Sequence, residues 1–392
     1  MNSTTAIILF IISLIAILTI SRKNLWVAII IGGIILSLIS NPTNTIEKAL
    51  SKTTQPTILL LAIALAEIPL IGMILENDLL KLFDTFGPKK ASVLGPAIFG
   101  LLPIPGGAVL SCPIVNHSLH DKEEGDKVAA NIWFRHILFL IYPLSPALIV
   151  STMIARIDII AIIPPMVPLF VLALSIGVGY YLHDIVAFKS NKKLLNLKQF
   201  LPVFLIALAP IIQILLGLYG VDINIATFTA VSTILIVSIL YYKVGHKALY
   251  LYAKRMRIWN FSLILLSIVF YAEIFMLTSV FFIQDISLDL LLLSTIVPFI
   301  IGFLTGRVQL TTTLVIPIVL SNVNFMTSGL FIMIYTTALC GYLMSPAHPC
   351  LVLSSEYFKV KITDAIRKLL APCIFFTLIG SIYGWMLHIY FC

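Results

Sequence analysis

Long apolar stretches separated by short polar segments dominate the hydrophobic pattern of this chain. About 20 apolar residues are needed for a helix to cross a bilayer. The pattern predicts membrane helices at residues 5–20, 25–40, 57–75, 137–154, 159–182, 199–218, 222–242, 259–282, 328–345 and 371–391. Only 11% of the 392 residues are charged and 60% are hydrophobic, whereas a soluble domain carries about 25% charged residues. The sequence therefore predicts an all-α polytopic membrane protein embedded in the lipid bilayer.

Two further apolar stretches are interrupted too often to form simple membrane spans. Proline and glycine recur within residues 91–115 and again within residues 288–320, and at this density they disrupt the hydrogen bonding of a helix. Non-helical backbone at membrane depth is stable only where protein or a water-filled cavity surrounds it. Both stretches are therefore predicted to be re-entrant helical hairpins.

The net charge of +8 follows from membrane topology, so it indicates neither a nucleic-acid partner nor an anionic substrate. Arg22 and Lys23 follow the first apolar stretch, which predicts an uncleaved helix with its N-terminus outside. If each hairpin returns to its own side, most of the 25 Lys and Arg residues fall in inner loops. Positive inner loops are typical of a multi-pass protein of the cell membrane.

Three short motifs recur in the same order in the two halves of the chain. Ala66-Glu67-Ile68 matches Ala272-Glu273-Ile274, Pro113-Ile114-Val115 matches Pro317-Ile318-Val319, and Tyr142–Pro146 matches Tyr342–Pro346, roughly 200 residues later. The matches predict two repeats at residues 1–190 and 191–392, each with about five membrane helices and one hairpin. An odd number of crossings inverts the second repeat, as in alternating-access transporters.

Broken helices expose backbone amide and carbonyl groups that can bind a substrate or an ion. Polar or conformationally permissive residues near the predicted breaks are therefore expected to bind substrate. They are Pro105, Gly106, Gly107 and Ser111 in the first hairpin, Gly306, Arg307, Thr311, Thr312 and Thr313 in the second, and Ser145, Ser345 and His348 beside the Ser-Pro motifs. The alternative is a set of kinked helices without a ligand, whose hydroxyls bond to the preceding turn.

Three charged residues lie within apolar stretches. Arg307 carries a guanidinium, whose planar fork suits a carboxylate or phosphate; it could instead reach the outer interface or pair with an acid. Glu67 and Glu273 occupy equivalent mid-helix positions, where a carboxylate could carry a proton or help to bind Na⁺. Each glutamate could also be a protonated acid bonded to a neighbouring helix.

The leading hypothesis is a secondary active transporter that moves a small organic anion with H⁺ or Na⁺. A cation/proton antiporter that uses the same acids is the alternative, and a membrane-embedded enzyme ranks lowest. The chain lacks a Walker-type loop, a His-Glu-x-x-His motif and a Gly-x-Ser-x-Gly motif, so ATP-driven transport and the usual hydrolase chemistries have no support. No catalytic residue, resident metal or cofactor is expected, apart from Na⁺ as a possible coupling ion.

The segments Leu102–Ala108 and Ser345–Leu353 resemble an uncharacterised family of prokaryotic, largely archaeal, membrane proteins. That family is placed within the ion transporter superfamily, beside gluconate, citrate, dicarboxylate and sodium/proton carriers. The resemblance spans nearly the whole chain and implies inverted repeats with re-entrant hairpins, a homodimer, and transport of small anions with Na⁺ or H⁺ across a prokaryotic plasma membrane.

One departure from the related dicarboxylate carriers concerns the hairpin tips. Those carriers place Ser-Asn-Thr at both tips. This chain has Pro105-Gly106-Gly107 in the first hairpin and Thr311-Thr312-Thr313 in the second, with Ser321-Asn322-Val323 only approximately similar. The resemblance therefore gives no support to sodium-coupled dicarboxylate transport.

Overall fold

The computed structural model describes residues 3–21, 23–83, 86–102, 107–183, 197–278, 289–323 and 325–391. Within these ranges the chain is helical and contains no strand. The helices are α1 (Ser3–Ile20), α2 (Leu25–Ser37), α3 (Pro42–Thr53), α4 (Pro56–Phe83), α5 (Pro88–Leu101), α6 (Gly107–Ser118), α7 (Glu124–His136), α8 (Pro146–Ala155), α9 (Ile159–Tyr181), α10 (Leu201–Leu218), α11 (Ile223–Tyr241), α12 (His246–Met256), α13 (Trp259–Thr278), α14 (Leu290–Ser294), α15 (Ile296–Thr305), α16 (Val308–Leu320), α17 (Ser328–Leu343), α18 (Pro349–Tyr357) and α19 (Ile362–Phe391).

Six of the described helices are long and apolar enough to cross a membrane, namely α4, α9, α10, α11, α13 and α19. Shorter apolar helices include α1, α2 and α17. The outer face of α19 exposes Leu378, Ile382 and Met386, while Leu369 and Cys373 on the same helix are buried. A helix that is apolar on both faces suits contact with lipid on one side and protein on the other. The prediction of an all-α membrane protein is therefore confirmed.

Polar residues and prolines set the ends of these helices. Asp158 accepts a hydrogen bond from the Ile160 amide at the start of α9, at 2.9 Å. The side chain of Thr327 accepts one from the Leu330 amide at the start of α17, at 3.2 Å. Such caps satisfy amides that have no partner within the first turn of a helix. Short polar segments therefore suffice to separate consecutive apolar helices.

The helices pack as two bundles, and each bundle draws on both halves of the sequence. In the first bundle, formed by α1–α4 and α10–α13, α13 packs on α2, α3 and α4, and α11 packs on α4 and α10. In the second bundle, formed by α5–α9 and α14–α19, α17 packs between α15 and α19, and α7 contacts α5, α6 and α19. Contacts between the bundles are sparse and involve mainly α13 with α8 and α16, and α4 with α5.

One predicted membrane helix is wrong, because the structure interrupts it. Residues 137–154 do not form a single helix: the 3-10 helix Ile137–Leu140 follows α7, and α8 begins only at Pro146. Pro143 and Pro146 lack the amide hydrogen that a continuous helix needs, and each disfavours helical backbone in the residue before it. A similar interruption separates α17 from α18 at residues 344–348.

Lys127 and Arg135 lie in a helix that the hydropathy pattern did not predict. Both residues belong to α7, and both side chains are buried within the second bundle. Lys127 is accommodated there because its ammonium contacts Glu124 at 2.7 Å and Asn116 at 3.0 Å. The two proline- and glycine-rich stretches each form a pair of contacting helices, α5 with α6 and α15 with α16.

Candidate functional site

A cavity of about 300 Å³ lies between the two bundles. The first bundle contributes only apolar side chains to its wall, and these are Leu25, Leu65, Phe261, Ile264 and Leu265. The second bundle contributes the polar and titratable side chains, which are Arg135, His136, Arg307, Gln309, Tyr342 and Cys350. The second bundle therefore supplies the polar and titratable groups of the site, and the first bundle encloses them with apolar side chains.

Interrupted helices bring these polar side chains together. The turn between α15 and α16 supplies Gly306 and Arg307, and the cavity wall includes Pro146 and Pro349, the first residues of α8 and α18. Gly306 has a φ of +61°, and a Cβ added there would lie 2.7 Å from the carbonyl carbon of Ala347. Glycine is required at this turn because the backbone is left-handed and packs directly on the break before α18.

Arg307 is the half-buried residue that precedes the first turn of α16. Its carbonyl accepts a hydrogen bond from the Thr311 hydroxyl at 2.9 Å. Its guanidinium forms no hydrogen bond or ion pair with any residue in the described part of the chain. A guanidinium carries five N–H donors. Arg307 therefore presents an unused, positively charged donor group to the cavity.

A second guanidinium, that of Arg135, also lines the cavity. The residue is only 4% exposed, and one of its Nη1 hydrogens is donated to the Gly107 carbonyl at 2.9 Å. It forms no ion pair within the described ranges. Gly100 at the end of α5 packs on the Arg135 carbonyl so closely that a Cβ would overlap it. The hydropathy pattern did not identify Arg135 as part of a buried helix, because the charged and polar residues of α7 make that helix less apolar than a membrane span.

His136, Tyr342 and His348 form an aromatic cluster beside the two guanidiniums. The Nδ1 atom of His136 lies 2.7 Å from the Ile132 carbonyl, and its Nε2 atom lies 3.0 Å from the Tyr342 hydroxyl. Because a carbonyl only accepts, this network assigns the ring proton to Nδ1 and leaves Nε2 to accept from Tyr342. The His348 ring packs on Tyr342 and His136, with centroid distances of 3.9 and 4.9 Å.

His348 is fully buried, with 0% exposure. Neither of its ring nitrogens has a hydrogen-bond partner of good geometry among the described residues, although the Leu343 backbone lies close to the ring. The contact with Leu343 is poorly aligned and is therefore at most a weak hydrogen bond. A buried imidazole without partners is unusual in a folded protein.

The donor atoms of His136, His348 and Cys350 lie within 4.8 Å of one another. Nitrogen and sulfur donors of this kind can bind Zn²⁺. A divalent cation at this position would lie beside Arg135 and Arg307, and no carboxylate is present among the described cavity-lining residues to offset the charge. The electrostatics of the site therefore disfavour a metal ion and favour an anion.

The structure brings part of the predicted substrate site to the cavity. Gly306 and Arg307 line it, His348 packs behind Tyr342, and Gly107 contacts Arg135 through its carbonyl. Pro105 and Gly106 lie outside the described residues.

The predicted hydroxyl ligands do not line the cavity. The Thr311, Thr312 and Thr313 hydroxyls bond to carbonyls one turn earlier in or before α16. These contacts match the alternative in which hydroxyls satisfy their own helix. The remaining predicted hydroxyls are buried elsewhere: Ser111 donates to Asn131 at 2.7 Å, Ser345 accepts from the Ala347 amide at 3.1 Å, and Ser145 lies at the start of α8.

Neither glutamate predicted to couple transport to an ion lines the cavity. Glu67 on α4 accepts a hydrogen bond from the Ser232 hydroxyl on α11 at 2.7 Å. This contact joins two helices of the first bundle. Glu273 is half-buried on α13, also in the first bundle. The two acids therefore lie on the bundle that contributes only apolar side chains to the cavity.

These features define an all-α membrane protein with a cationic cavity between two helical bundles. The chain belongs to the DUF401 family, described as a protein of unknown function, whose sequence pattern matches residues 2–388. No curated protein matches the chain.

Proposed function

We propose that the protein is a secondary active transporter of a small organic anion, coupled to H⁺ or Na⁺. The observation that carries this proposal is the pair of guanidiniums, Arg135 and Arg307, in one cavity without a carboxylate among its described lining residues. A buried cation without a counter-charge is costly. A bound anion would offset that cost, and charge-assisted hydrogen bonds to arginine are among the stronger ones in proteins.

The free donors of the site match an anionic group. Arg135 uses one hydrogen bond on the Gly107 carbonyl, and its other donors remain for a ligand. Arg307 precedes α16, a helix of 13 residues, whose N-terminal amides carry partial positive charge. A carboxylate held by Arg307 would therefore also experience the favourable end of the helix dipole.

The size and the walls of the cavity limit the substrate further. A volume of about 300 Å³ is at the lower end of the range for small-molecule sites. Leu65, Phe261 and Ile264 form part of an apolar wall opposite the arginines. We infer that the substrate is a compact organic acid whose charged group faces the second bundle and whose body contacts the first.

The order of helices supports the inverted repeat proposed for residues 1–190 and 191–392. A long helix, a broken helix pair, an interrupted helix and a final long helix follow one another as α4, α5–α6, α7–α8 and α9, and again as α13, α15–α16, α17–α18 and α19. We propose that the helix pairs are re-entrant hairpins. Inverted repeats allow a transporter to exchange inward-facing and outward-facing forms by exchanging the conformations of its halves.

The separation of polar and apolar cavity residues between the two bundles also favours alternating access. The polar groups of the cavity belong to the second bundle, and the first bundle faces them with apolar side chains. Movement of one bundle past the other would break few polar contacts, because contacts between the bundles are sparse. The expected homodimer and the outward N-terminus remain part of this proposal.

The proposal can be tested by the thermal stability of the purified protein in detergent. A ligand that binds the folded state raises its melting temperature by mass action. Organic acids of matched size, with their uncharged amides as controls, would be compared with and without Na⁺ and at two pH values. We expect a shift from the acids and none from the amides. A shift from Na⁺ or pH alone, with none from any acid, would contradict anion transport and favour the cation/proton antiporter.

Arg307→Ala tests the role of the cavity itself. Hydrogen bonds to a charged group contribute about 1.5–3 kcal/mol, so the variant should lose anion affinity by about 10- to 150-fold. Its folding should be intact, because no described residue depends on the guanidinium. Arg367→Ala is the matched control, because that side chain is 79% exposed and only 3.5 Å from Asp364. Equal anion affinity in Arg307→Ala and wild type would remove Arg307 from the site.

A further inference from the structure

We propose that His136 and His348, linked by Tyr342, form a proton-binding pair that takes up one proton when an anion binds between Arg135 and Arg307. The inference rests on the proposed function and deepens it, because it names H⁺ as the coupling ion. It also assigns the coupling role to the imidazoles of the second bundle instead of Glu67 and Glu273.

The two histidines lie at the polar edge of the cavity. His136 and Tyr342 line the cavity together with both arginines, and the His348 ring contacts both of them from behind. On its other side, His136 is enclosed by apolar residues of α9, α17 and α19, including Ala173, Leu339 and Phe376. The cavity is therefore the polar side of the cluster, and a charge placed there acts on the imidazoles with little screening.

The titratable groups around the pair come from several helices. Arg135 lies on α7, Arg307 precedes α16, Tyr335 lies on α17 and donates to the Phe139 carbonyl at 3.0 Å, and Cys350 lies on α18. Cys112 on α6 lies near Arg135 and bonds within α6 and to Ser354. The described cavity-lining residues of α2, α4, α5, α8 and α13 are all non-titratable. Both fixed charges that face the imidazoles are therefore positive.

These charges make protonation depend on the anion. Without an anion, a proton on either ring would add a third positive charge beside two guanidiniums, so both rings are neutral. One negative charge placed about 6 Å from the pair, at an effective dielectric constant of about 20, raises the proton affinity about 100-fold. The two rings are only 4.9 Å apart, so the second proton is opposed by the first. The expected stoichiometry is therefore at most one proton for each anion.

His348 can accept this proton without losing an existing bond. A neutral imidazole has one N–H group and one free lone pair, and neither nitrogen of His348 is hydrogen-bonded within the described chain. The Nε2 lone pair of His136, by contrast, already accepts from the Tyr342 hydroxyl at 3.0 Å. A proton that arrives from the cavity at His136 can move to His348 once Tyr342 rotates, and no other group has to be oxidised or reduced.

Proton binding and anion binding are thermodynamically linked, so each strengthens the other by the same factor. If the anion raises proton affinity about 100-fold, then protonation raises anion affinity by the same factor. Anion affinity should therefore weaken as the pH rises, by at most about 100-fold. Such behaviour gives a carrier that binds the anion and the proton together, which is the requirement for symport.

The test is isothermal titration calorimetry of the detergent-purified protein with benzoate and with phthalate. Both probes are compact acids with apolar bodies, and both are fully ionised near neutral pH. Titrations at one pH in two buffers of different ionisation enthalpy measure the number of protons taken up. We expect proton uptake that peaks at about 0.8 per bound anion at one pH and falls on either side, and a Kd that rises by up to about 100-fold with pH.

Variants identify the group that takes up the proton. His348→Gln should still bind the anion, but proton uptake and the pH dependence of Kd should disappear. His136→Gln should weaken both effects and provides the same test if the buried His348 variant does not fold. His117→Gln is the matched control, because His117 is exposed on α6; that variant, Glu67→Gln and Glu273→Gln should take up protons as wild type does.

The possible outcomes distinguish failure of the histidine proposal from failure of the anion-carrier proposal. Binding of either probe without proton uptake would overturn the histidine proposal and leave the anion carrier intact. Proton uptake that survives in a folded histidine variant but disappears in Glu67→Gln or Glu273→Gln would return the coupling role to that glutamate. No binding of benzoate or phthalate at millimolar concentration would overturn both proposals.

Discussion

Asn131 on α7 connects the first helix pair to a helix from the other half of the chain. Its amide nitrogen donates to the Ala108 carbonyl at 3.2 Å and to the Ser354 hydroxyl on α18 at 3.0 Å. Its side-chain oxygen accepts from the Ser111 hydroxyl at 2.7 Å. Asn131, Ser111 and Ser354 are all 0% exposed, so water cannot replace a lost partner.

The substitution Asn131→Leu keeps the branched shape of the side chain but replaces the amide oxygen and nitrogen by larger methyl groups. It removes these three hydrogen bonds and a weaker contact of the amide nitrogen with the Cys112 sulfur at 3.4 Å. A hydrogen bond contributes about 0.5–1.5 kcal/mol in soluble proteins and about 0.6 kcal/mol on average in a membrane protein. The Ser111 hydroxyl retains a bond to the Ala108 carbonyl at 3.1 Å, which limits the loss. We therefore expect the free energy of unfolding to fall by about 2–4 kcal/mol.

Reversible unfolding in mixed micelles with increasing denaturing detergent measures this difference. Ser354→Ala removes one of the three bonds and a weaker contact from the Cys112 sulfur at 3.7 Å, so it should cost less than Asn131→Leu. The double variant should show non-additivity because the residues share a contact. Asn44→Leu, on the exposed surface of α3, controls for replacing an amide by an apolar group. An Asn131→Leu protein as stable as wild type would refute the argument that this network holds α6, α7 and α18 together.

Three further predictions concern turns and surface charge. Gly306→Ala places a Cβ 2.7 Å from the Ala347 backbone at a φ of +61°, so we expect the free energy of unfolding to fall by about 1–2 kcal/mol or more. We also expect weaker anion binding in the melting assay, because Arg307 shifts with the turn. Gly100→Ala should lower the melting temperature of the protein by displacing α5 from the Arg135 carbonyl; an unchanged melting temperature would contradict this packing. Lys368, 2.8 Å from Glu123, lowers the pKa of that carboxyl, so the contact stabilises the fold at neutral pH and its contribution is lost as the pH falls through the lowered pKa. The small stability difference between wild type and Glu123→Gln should accordingly vanish in acid, and a difference that persists there would show that the charge is not its cause.

Hydropathy predicted most of the membrane helices because a bilayer-spanning apolar stretch is a local property of the sequence. It failed for α7, which places Lys127, Asn131 and Arg135 within the second bundle. A helix enclosed by protein can bury polar side chains that would be unstable in lipid, because neighbouring helices supply their partners. Hydropathy scores such a helix as a loop. The break between α7 and α8 was missed for a related reason, since short non-helical segments enclosed by protein leave the apolar pattern uninterrupted.

The candidate site was only partly predictable. Arg307 could be identified because it is a single charge in an apolar stretch. The contact between His136 and Tyr342 joins residues 206 positions apart, and no local pattern indicates it. Prediction of that contact would require the packing of α7 against the end of α17. The same packing is what brings Arg135 and Arg307 to one cavity.

A hydroxyl in an apolar stretch is weaker support for a ligand site than a guanidinium is. A threonine in a membrane helix can satisfy its hydroxyl on a carbonyl one turn earlier, and Thr311, Thr312 and Thr313 all do so. Their presence in an apolar stretch is therefore weak support for a ligand. A guanidinium has five donors and a charge, which one local carbonyl cannot satisfy. Among the described residues, Arg135 has a single carbonyl partner and Arg307 has none. Both guanidiniums retain donors for an anion, and for this reason we base the transport proposal on the arginines.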